Sequence, residues 1–178
     1  MNDMSDTSPL RAPEQADHVD LIVALWRREC PDLDLRGMGA VGRVRRLNTF
    51  FLRAMEETWG EFDLNVAGFD VLSTLLRAGA PYALSPGELI ASTMVTSGTM
   101  THRIDQLEGA GLVKRLRNPN DGRGFVISLT PQGKSLAERS VAAHVETQAR
   151  LVAALDDKER ATLEGLLRKL LTGFEEQE

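Results

Sequence analysis

Short polar side chains and one histidine lie close together near the middle of the chain, where they could hydrogen-bond to nucleic-acid base edges. These candidates for the DNA major groove are Thr96, Ser97, Thr99, Thr101 and His102. Side chains of this size reach base edges when their helix lies in the groove, and backbone N–H groups at the start of such a helix bind phosphate. The alternative is that the polar side chains are merely solvated.

Basic residues are concentrated in the same part of the chain. Residues 92–134 carry six basic and three acidic groups, although the whole chain of 178 residues has a net charge of −5. The basic residues are Arg103, Lys114, Arg115, Arg117, Arg123 and Lys134. A local positive surface on an acidic protein is typical of polyanion recognition. Arg117 and Arg123 are therefore further DNA-binding candidates, Arg123 in a minor groove, where negative potential favours arginine. An ordinary solvated surface would explain the charges equally well.

Local signals predict the elements that position these candidates. The segment 85–88, Ser-Pro-Gly-Glu, is a capping box with proline at the first helical position, and it opens a short helix. After a turn, Thr96 or Ser97 can cap a second helix that runs to about Gly109, which indicates a helix-turn-helix. Segments 112–117 and 125–130 favour strand around the turn formers NPNDGRG and predict a β-hairpin. A helix-turn-helix followed by a hairpin is a winged helix.

The predicted fold is mainly α with a small β-wing, in which long dimerisation helices flank a winged helix-turn-helix. Its parts are a disordered arm at 1–13, an extra N-terminal helix and linker at 14–39, and a domain at 40–178, with the winged helix at about 66–130 and the dimerisation helices at about 40–60 and 131–174. The apolar stripes of the flanking helices could complete a monomeric core. Their separation in sequence around one DNA-binding unit favours a homodimer on a pseudo-palindromic double-stranded site instead.

Composition excludes several other classes of protein. A single cysteine excludes an internal disulfide framework and argues against a cysteine-rich metal site. The three histidines lack metal-ligand spacing, and we expect His18 and His144 at the surface. The polar, acidic N-terminus and the absence of an apolar run of about 18 residues favour a cytoplasmic protein without membrane contact. No hydrolase, nucleotide-binding or zinc-protease motif is present, so we expect neither an enzyme nor a cofactor.

The predicted winged helix resembles that of the MarR family of transcriptional regulators. The segments that carry the resemblance are SGTMTHRIDQLEGAGLVKR at Ser97–Arg115, DGRG at Asp121–Gly124 and LTPQG at Leu129–Gly133. The resemblance extends over about residues 40–172. It implies a homodimeric winged-helix repressor, less often an activator, whose DNA affinity is set by a small ligand or by oxidation. It also implies that Arg123 reaches the minor groove and that Asp121 braces the wing.

Further upstream the chain is similar to the urate-responsive PecS/HucR-type branch of this family. The matching features are Trp26 in the first helix, PDLD at Pro31–Asp34, GRVRRL at Gly42–Leu47 and the segment Phe69–Leu89. The likeness implies that Trp26, Asp70 and Arg103 bind urate or a related purine.

The residue chemistry of this pocket is consistent with a switch. A carboxylate at Asp70, in an otherwise apolar helix, must be paired, exposed or protonated, and Arg103 could be its partner. An anionic ligand would take Arg103 away from Asp70 and shift the recognition helix, while Trp26 would stack on the ligand. The alternatives are a structural ion pair, an arginine on phosphate, and an ordinary core or interface tryptophan.

Two other modes of action stay open at this point. The regulator could respond to another anionic ligand or to oxidation of Cys30, although only Arg27 and Arg28 near that thiol favour the reactive thiolate. A winged helix could also serve as a protein–protein interaction module that never touches DNA. A steep loss of DNA binding with salt would exclude this second reading.

Overall fold

The computed structural model describes residues 16–93, 100–118 and 124–176, and over these ranges it contains seven α-helices and three β-strands. The helices are α1 (His18–Glu29), α2 (Met38–Gly60), α3 (Val66–Arg77), α4 (Pro86–Ser92), α5 (Met100–Gly109), α6 (Pro131–Leu151) and α7 (Asp157–Glu175). The strands are β1 (Ala83–Leu84), β2 (Val113–Arg117) and β3 (Phe125–Leu129). None of the described helices is long and apolar enough to cross a membrane. The predicted arm at 1–13 lies outside the described residues.

The three strands form one antiparallel sheet in the order β1-β3-β2. The hairpin pairs Val113 with Leu129 and Arg117 with Phe125, so its register runs along the whole of both strands. The prediction of a mainly α fold with a small β-wing is confirmed. The sequence did not predict β1, because two residues are too few to show an alternating pattern.

The chain divides into two compact units, Met1–Leu52 and Arg53–Glu178, with the boundary inside α2. In the first unit, Asp17 caps α1, so the helix begins at His18 rather than at the predicted Glu14. The guanidinium of Arg43 on α2 forms ion pairs of 2.8 Å with both Asp17 and Asp20. The two helices also pack closely beside these ion pairs, since a Cβ atom at Gly42 would lie only 3.0 Å from the side chain of Val19.

The core of the second unit lies between α3, the sheet and α6. Leu72 and Leu75 of α3 and Ile127 of β3 are fully buried. The first turn of α6 lies directly against the segment before β2, because a Cβ atom at Gly133 would be 1.8 Å from the carbonyl oxygen of Leu112. The sheet and α6 therefore form a single packed body with α3.

An aromatic cluster joins the C-terminal part of α2 to α3 and α6. The Trp59 ring stacks on Phe69 with 5.1 Å between centroids, and the His144 ring lies 5.8 Å from Trp59 and 4.7 Å from Phe69. The expectation that His144 lies at the surface is wrong, since its side chain is half-buried and its Nδ1 atom is buried. The imidazole of His144 is accommodated here because aromatic rings pack well against one another. His18 is exposed, as predicted.

The last helix, α7, differs from the others in having no buried residue. A capping box at Asp156 and Glu159 fixes its start. Large apolar side chains along one stripe are exposed, and these are Leu163, Leu166, Leu167, Leu170, Leu171 and Phe174. This helix therefore has a defined start and an apolar face that the described residues leave exposed.

Candidate nucleic-acid interface and effector cleft

The helix-turn-helix is built from α4 and α5. The predicted capping box at the start of α4 is present: the Ser85 side chain accepts from the N–H of Glu88, and the Glu88 carboxylate accepts from the N–H of Ser85 at 2.8 Å. Arg77 at the end of α3 donates to the carbonyl oxygen of Ser92 at 2.8 Å, which holds the last turn of α4. The capping box thus fixes the start of α4, and the contact from Arg77 fixes its last turn.

Helix α5, the second helix of the helix-turn-helix and the predicted recognition helix, has one buried and one exposed face. Met100, Ile104 and Leu107 are buried at helical spacing. The predicted major-groove residues Thr101 and His102 are both exposed. A short amphipathic helix packed in this way leaves the polar side chains of its exposed face free to contact a ligand.

The other predicted DNA-binding residues fall into two groups. Arg117 is exposed at the C-terminal end of β2, where the wing begins. Thr96, Ser97, Thr99, Arg123 and the wing-bracing Asp121 lie outside the described residues.

Two of the six basic groups are paired with carboxylates, Arg115 on β2 with residues of α5 and Lys134 with a residue of its own helix. Arg115 forms ion pairs with Asp105 and Glu108, and hydrogen bonding to Asp105 raises the pKa of its guanidinium. Lys134 lies 3.5 Å from a Glu138 carboxylate oxygen and 4.6 Å from the centre of the Tyr82 ring. The exposed basic side chains of β2 are thus Lys114 and Arg117.

Arg103 lines a cleft between the start of α3 and the recognition helix. The cleft has a volume of about 210 Å³, with polar groups from Asp63, Asn65 and Gln106. Leucines from α5 and its neighbours form the apolar walls, and these are Leu64, Leu107 and Leu112. The Nη1 atom of Arg103 is buried and has no hydrogen-bond partner among the described residues. A buried guanidinium N–H without a partner favours a negatively charged group beside it.

The sequence suggested Arg103 as one possible partner of Asp70. Asp70 is half-buried on α3 and does not line the cleft of Arg103. In the first unit, the Trp26 side chain is 44% exposed, so it is not a core residue of the single chain. One oxygen of the Asp70 carboxylate and the Nη1 atom of Arg103 are each buried.

Comparison with known proteins decides the family. Residues 64–125 match the model of the MarR family. The chain is 36% identical to the HTH-type transcriptional regulator PecS of Dickeya dadantii over 84% of this chain and 90% of PecS. It belongs to the MarR family. The predicted resemblance to MarR-family and PecS-like regulators is therefore confirmed, and the chain is a transcriptional regulator rather than an enzyme.

Solved MarR-family structures share this fold. A mutant MarR from E. coli complexed with operator DNA matches with a TM-score of 0.65 and 31% identity, covering 83% of this chain and 98% of that one. Bordetella bronchiseptica BpsR, whose DNA binding is regulated by 6-hydroxynicotinic acid, matches with a TM-score of 0.64 and 26% identity over 72% of this chain and 90% of that one. The winged helix of this chain is thus the MarR-family winged helix.

Proposed function

We propose that this MarR-family regulator is a homodimeric repressor that binds a pseudo-palindromic DNA operator and is released by a small anionic effector, urate or a related purine. The observation that carries the proposal is the recognition helix α5, whose apolar face is buried while Thr101 and His102 are exposed. The relative from E. coli that was solved with operator DNA supports the same use of the fold.

In this proposal each part of the winged helix contacts a different feature of DNA. Residues in and before α5 face the major groove, and these are Thr96, Ser97, Thr99, Thr101 and His102. Arg117 binds phosphate at the base of the wing, and Arg123 enters the minor groove while Asp121 braces it. Phosphate contacts of this kind position the protein, whereas the short polar side chains read the bases.

The exposed apolar stripe of α7 supports the homodimer. Leu166, Leu170 and Leu171 are each 58% exposed in the single chain, and Phe174 is 70% exposed. A contiguous apolar face of this size favours association with another protein surface. Two-fold symmetry between copies would also match the two halves of a pseudo-palindrome.

The cleft beside Arg103 supports an anionic effector. A ligand that pairs with the buried Nη1 atom of Arg103 would lie between α3 and the recognition helix, and its binding would favour one arrangement of these helices over the other. The PecS-like sequence adds Trp26 and Asp70 as further effector-binding candidates in this proposal. A ligand that binds the DNA-free arrangement more tightly must weaken DNA binding, and DNA must weaken ligand binding in return.

The experiment is a titration of the full chain onto the DNA upstream of its own gene, with and without urate, at one fixed salt concentration. We expect tight binding that urate weakens. Tight binding that ignores urate would keep the DNA-binding function and remove the purine, leaving other anions or Cys30 oxidation as the signal. Absence of salt-sensitive binding would favour a protein–protein interaction module.

Two variants test individual residues, one in the response to urate and one in operator binding. Asp70→Asn should fold normally and respond less to urate, whereas Glu146→Gln, at an exposed position on α6, serves as the control and should respond normally. Arg123→Ala should weaken operator binding and lower the slope of log affinity against log salt by about 0.9, the value for one phosphate-type contact. Unchanged behaviour of either variant would remove that residue from the proposal.

A further inference from the structure

Arg115 stands at the junction of three elements of the winged helix. Its Nη2 atom donates to Asp105 on α5 at 2.5 Å, and its Nη1 atom donates to Glu108, one turn further along the same helix. Its guanidinium carbon lies 5.8 Å from the centre of the Phe125 ring on β3. A single side chain on β2 therefore contacts both the recognition helix and the other strand of the wing.

Glu108 also holds the backbone of β2. Its second carboxylate oxygen accepts the N–H of Arg115 at 2.9 Å. Because β2 is at the edge of the sheet, an N–H that points away from β3 has no strand to pair with. The carboxylate therefore takes the place of a neighbouring strand at the point where β2 passes α5.

The geometry leaves Arg115 poorly placed to bind DNA itself. Both terminal nitrogens of the guanidinium are engaged by carboxylates, and the side chain is only 29% exposed. The neighbouring basic residues on the strand, Lys114 and Arg117, are exposed. Arg115 thus differs from them in role although the sequence places all three in one basic run.

We propose that Arg115, with Glu108 and Asp105, is a positioning residue that fixes the direction of the wing relative to the recognition helix. The β2–β3 hairpin extends from this junction to Arg117 and Phe125, so in this proposal the contact sets the direction in which the hairpin leaves α5. The inference rests on the proposed DNA-binding function. It gives Arg115 a role in determining specificity, whereas the charge pattern alone would suggest that Arg115 binds phosphate.

The Glu108→Gln variant tests the proposal, because a positioning role and a purely electrostatic role predict opposite changes in DNA affinity. If these acidic groups merely lay near DNA, removal of a negative charge would strengthen binding. A positioning role predicts instead that Glu108→Gln weakens binding to a duplex selected by the wild-type protein from a randomised pool, roughly tenfold for a coupled contact pair. Binding to an unrelated duplex should not weaken, so the ratio of specific to non-specific affinity should fall.

Variants of Arg115 complete the test. Arg115→Gln should weaken specific binding by a similar factor without lowering the salt slope, and the double variant with Glu108→Gln should be little worse than either single one. Arg115→Lys, which keeps the charge, should restore part of the affinity. Lys114→Gln is the matched control, and as the loss of an exposed charge it should reduce specific and non-specific binding equally. Thermal unfolding of each variant separates loss of binding from loss of folding.

The outcomes distinguish the inference from the function on which it rests. A wild-type protein that selects no duplex overturns the DNA-binding function and the inference with it. A wild-type protein that binds normally, with a Glu108→Gln variant that binds more tightly or an Arg115→Gln variant that loses salt slope, overturns only the positioning role. If Glu108→Gln and Arg115→Gln fail to fold, Arg115→Lys decides the question. The proposal predicts that this variant folds and binds the selected duplex more weakly than the wild type, and wild-type affinity would overturn it.

Discussion

Helices α3 and α7 are both rich in leucine, yet the chain buries the leucines of one and exposes those of the other. Leu72 and Leu75 on α3 are fully buried, whereas Leu166 and Leu170 on α7 are each 58% exposed. The difference lies in the surroundings, because α3 packs against α5, α6 and the sheet while α7 buries no residue. The winged helix therefore has its own core, whereas the described residues leave the apolar face of α7 exposed.

The largest expected change in stability comes from a glycine of the winged-helix unit, compared with a glycine of α7. Gly133→Ala would place a Cβ atom 1.8 Å from the backbone oxygen of Leu112, so the first turn of α6 would have to move away from the sheet. We expect a loss of about 4 kcal/mol or more in the free energy of unfolding, measured by urea denaturation. Gly165→Ala on α7 is the control, since nothing lies within 4 Å of the added Cβ atom. This control should gain up to about 1 kcal/mol from helix propensity. Equal effects at both glycines would contradict the comparison.

The leucines give the next largest effect. Leu72→Ala should lower the free energy of unfolding by about 3 kcal/mol, because it leaves a cavity in a fully buried site. Leu170→Ala should leave the unfolding of the winged helix nearly unchanged but weaken self-association, by about 2 kcal/mol for each chain if the leucine is buried between copies. Sedimentation at several concentrations measures the second quantity. A Leu170→Ala protein that unfolds as easily as Leu72→Ala would show that α7 belongs to the core.

The smallest effect concerns His144, at the point where α2, α3 and α6 meet. Burial lowers the pKa of this imidazole below its ordinary value of 6.5, so the folded chain favours the neutral ring. The unfolded chain then binds more protons below about pH 6.5, and the stability that depends on the neutral ring is lost as the pH falls through the folded pKa. Unfolding experiments from about pH 7 to about pH 5 should show this decline, with a slope of at most about 1.4 kcal/mol per pH unit for one proton.

A matched variant isolates that proton. His144→Phe keeps an aromatic ring beside Trp59 and Phe69 and removes the titrating group. Its stability should change less between the two pH values than that of the wild type. An identical pH profile in both proteins would show that His144 does not contribute to acid sensitivity.

The sequence predicted those features that depend on neighbouring residues. The capping box at Ser85 and Glu88 marks the start of α4, and the strand–turn–strand pattern marks the wing, because both signals act over a few residues. Arg115 shows where such reasoning ends. Its neighbours Lys114 and Arg117 suggest a phosphate contact, but its partners Asp105 and Glu108 lie on another element.

The effector residues show the same limit. Asp70 and Arg103 have complementary charges, but the sequence could not show that Arg103 faces a cleft with Gln106 and Asn65 that Asp70 does not line. The resemblance to known regulators supplied the family, whereas the placement of individual side chains required the fold.

The most direct test of this account is the mass of the complex that the full chain forms with its selected duplex, measured in solution together with the mass of the free protein. The account predicts two chains on each duplex and a free protein that is already dimeric, with the dimer weakened by Leu170→Ala. One chain per duplex, from a free protein that stays monomeric at the concentration of the experiment, would contradict the account, because the face of α7 would then be exposed in the working molecule.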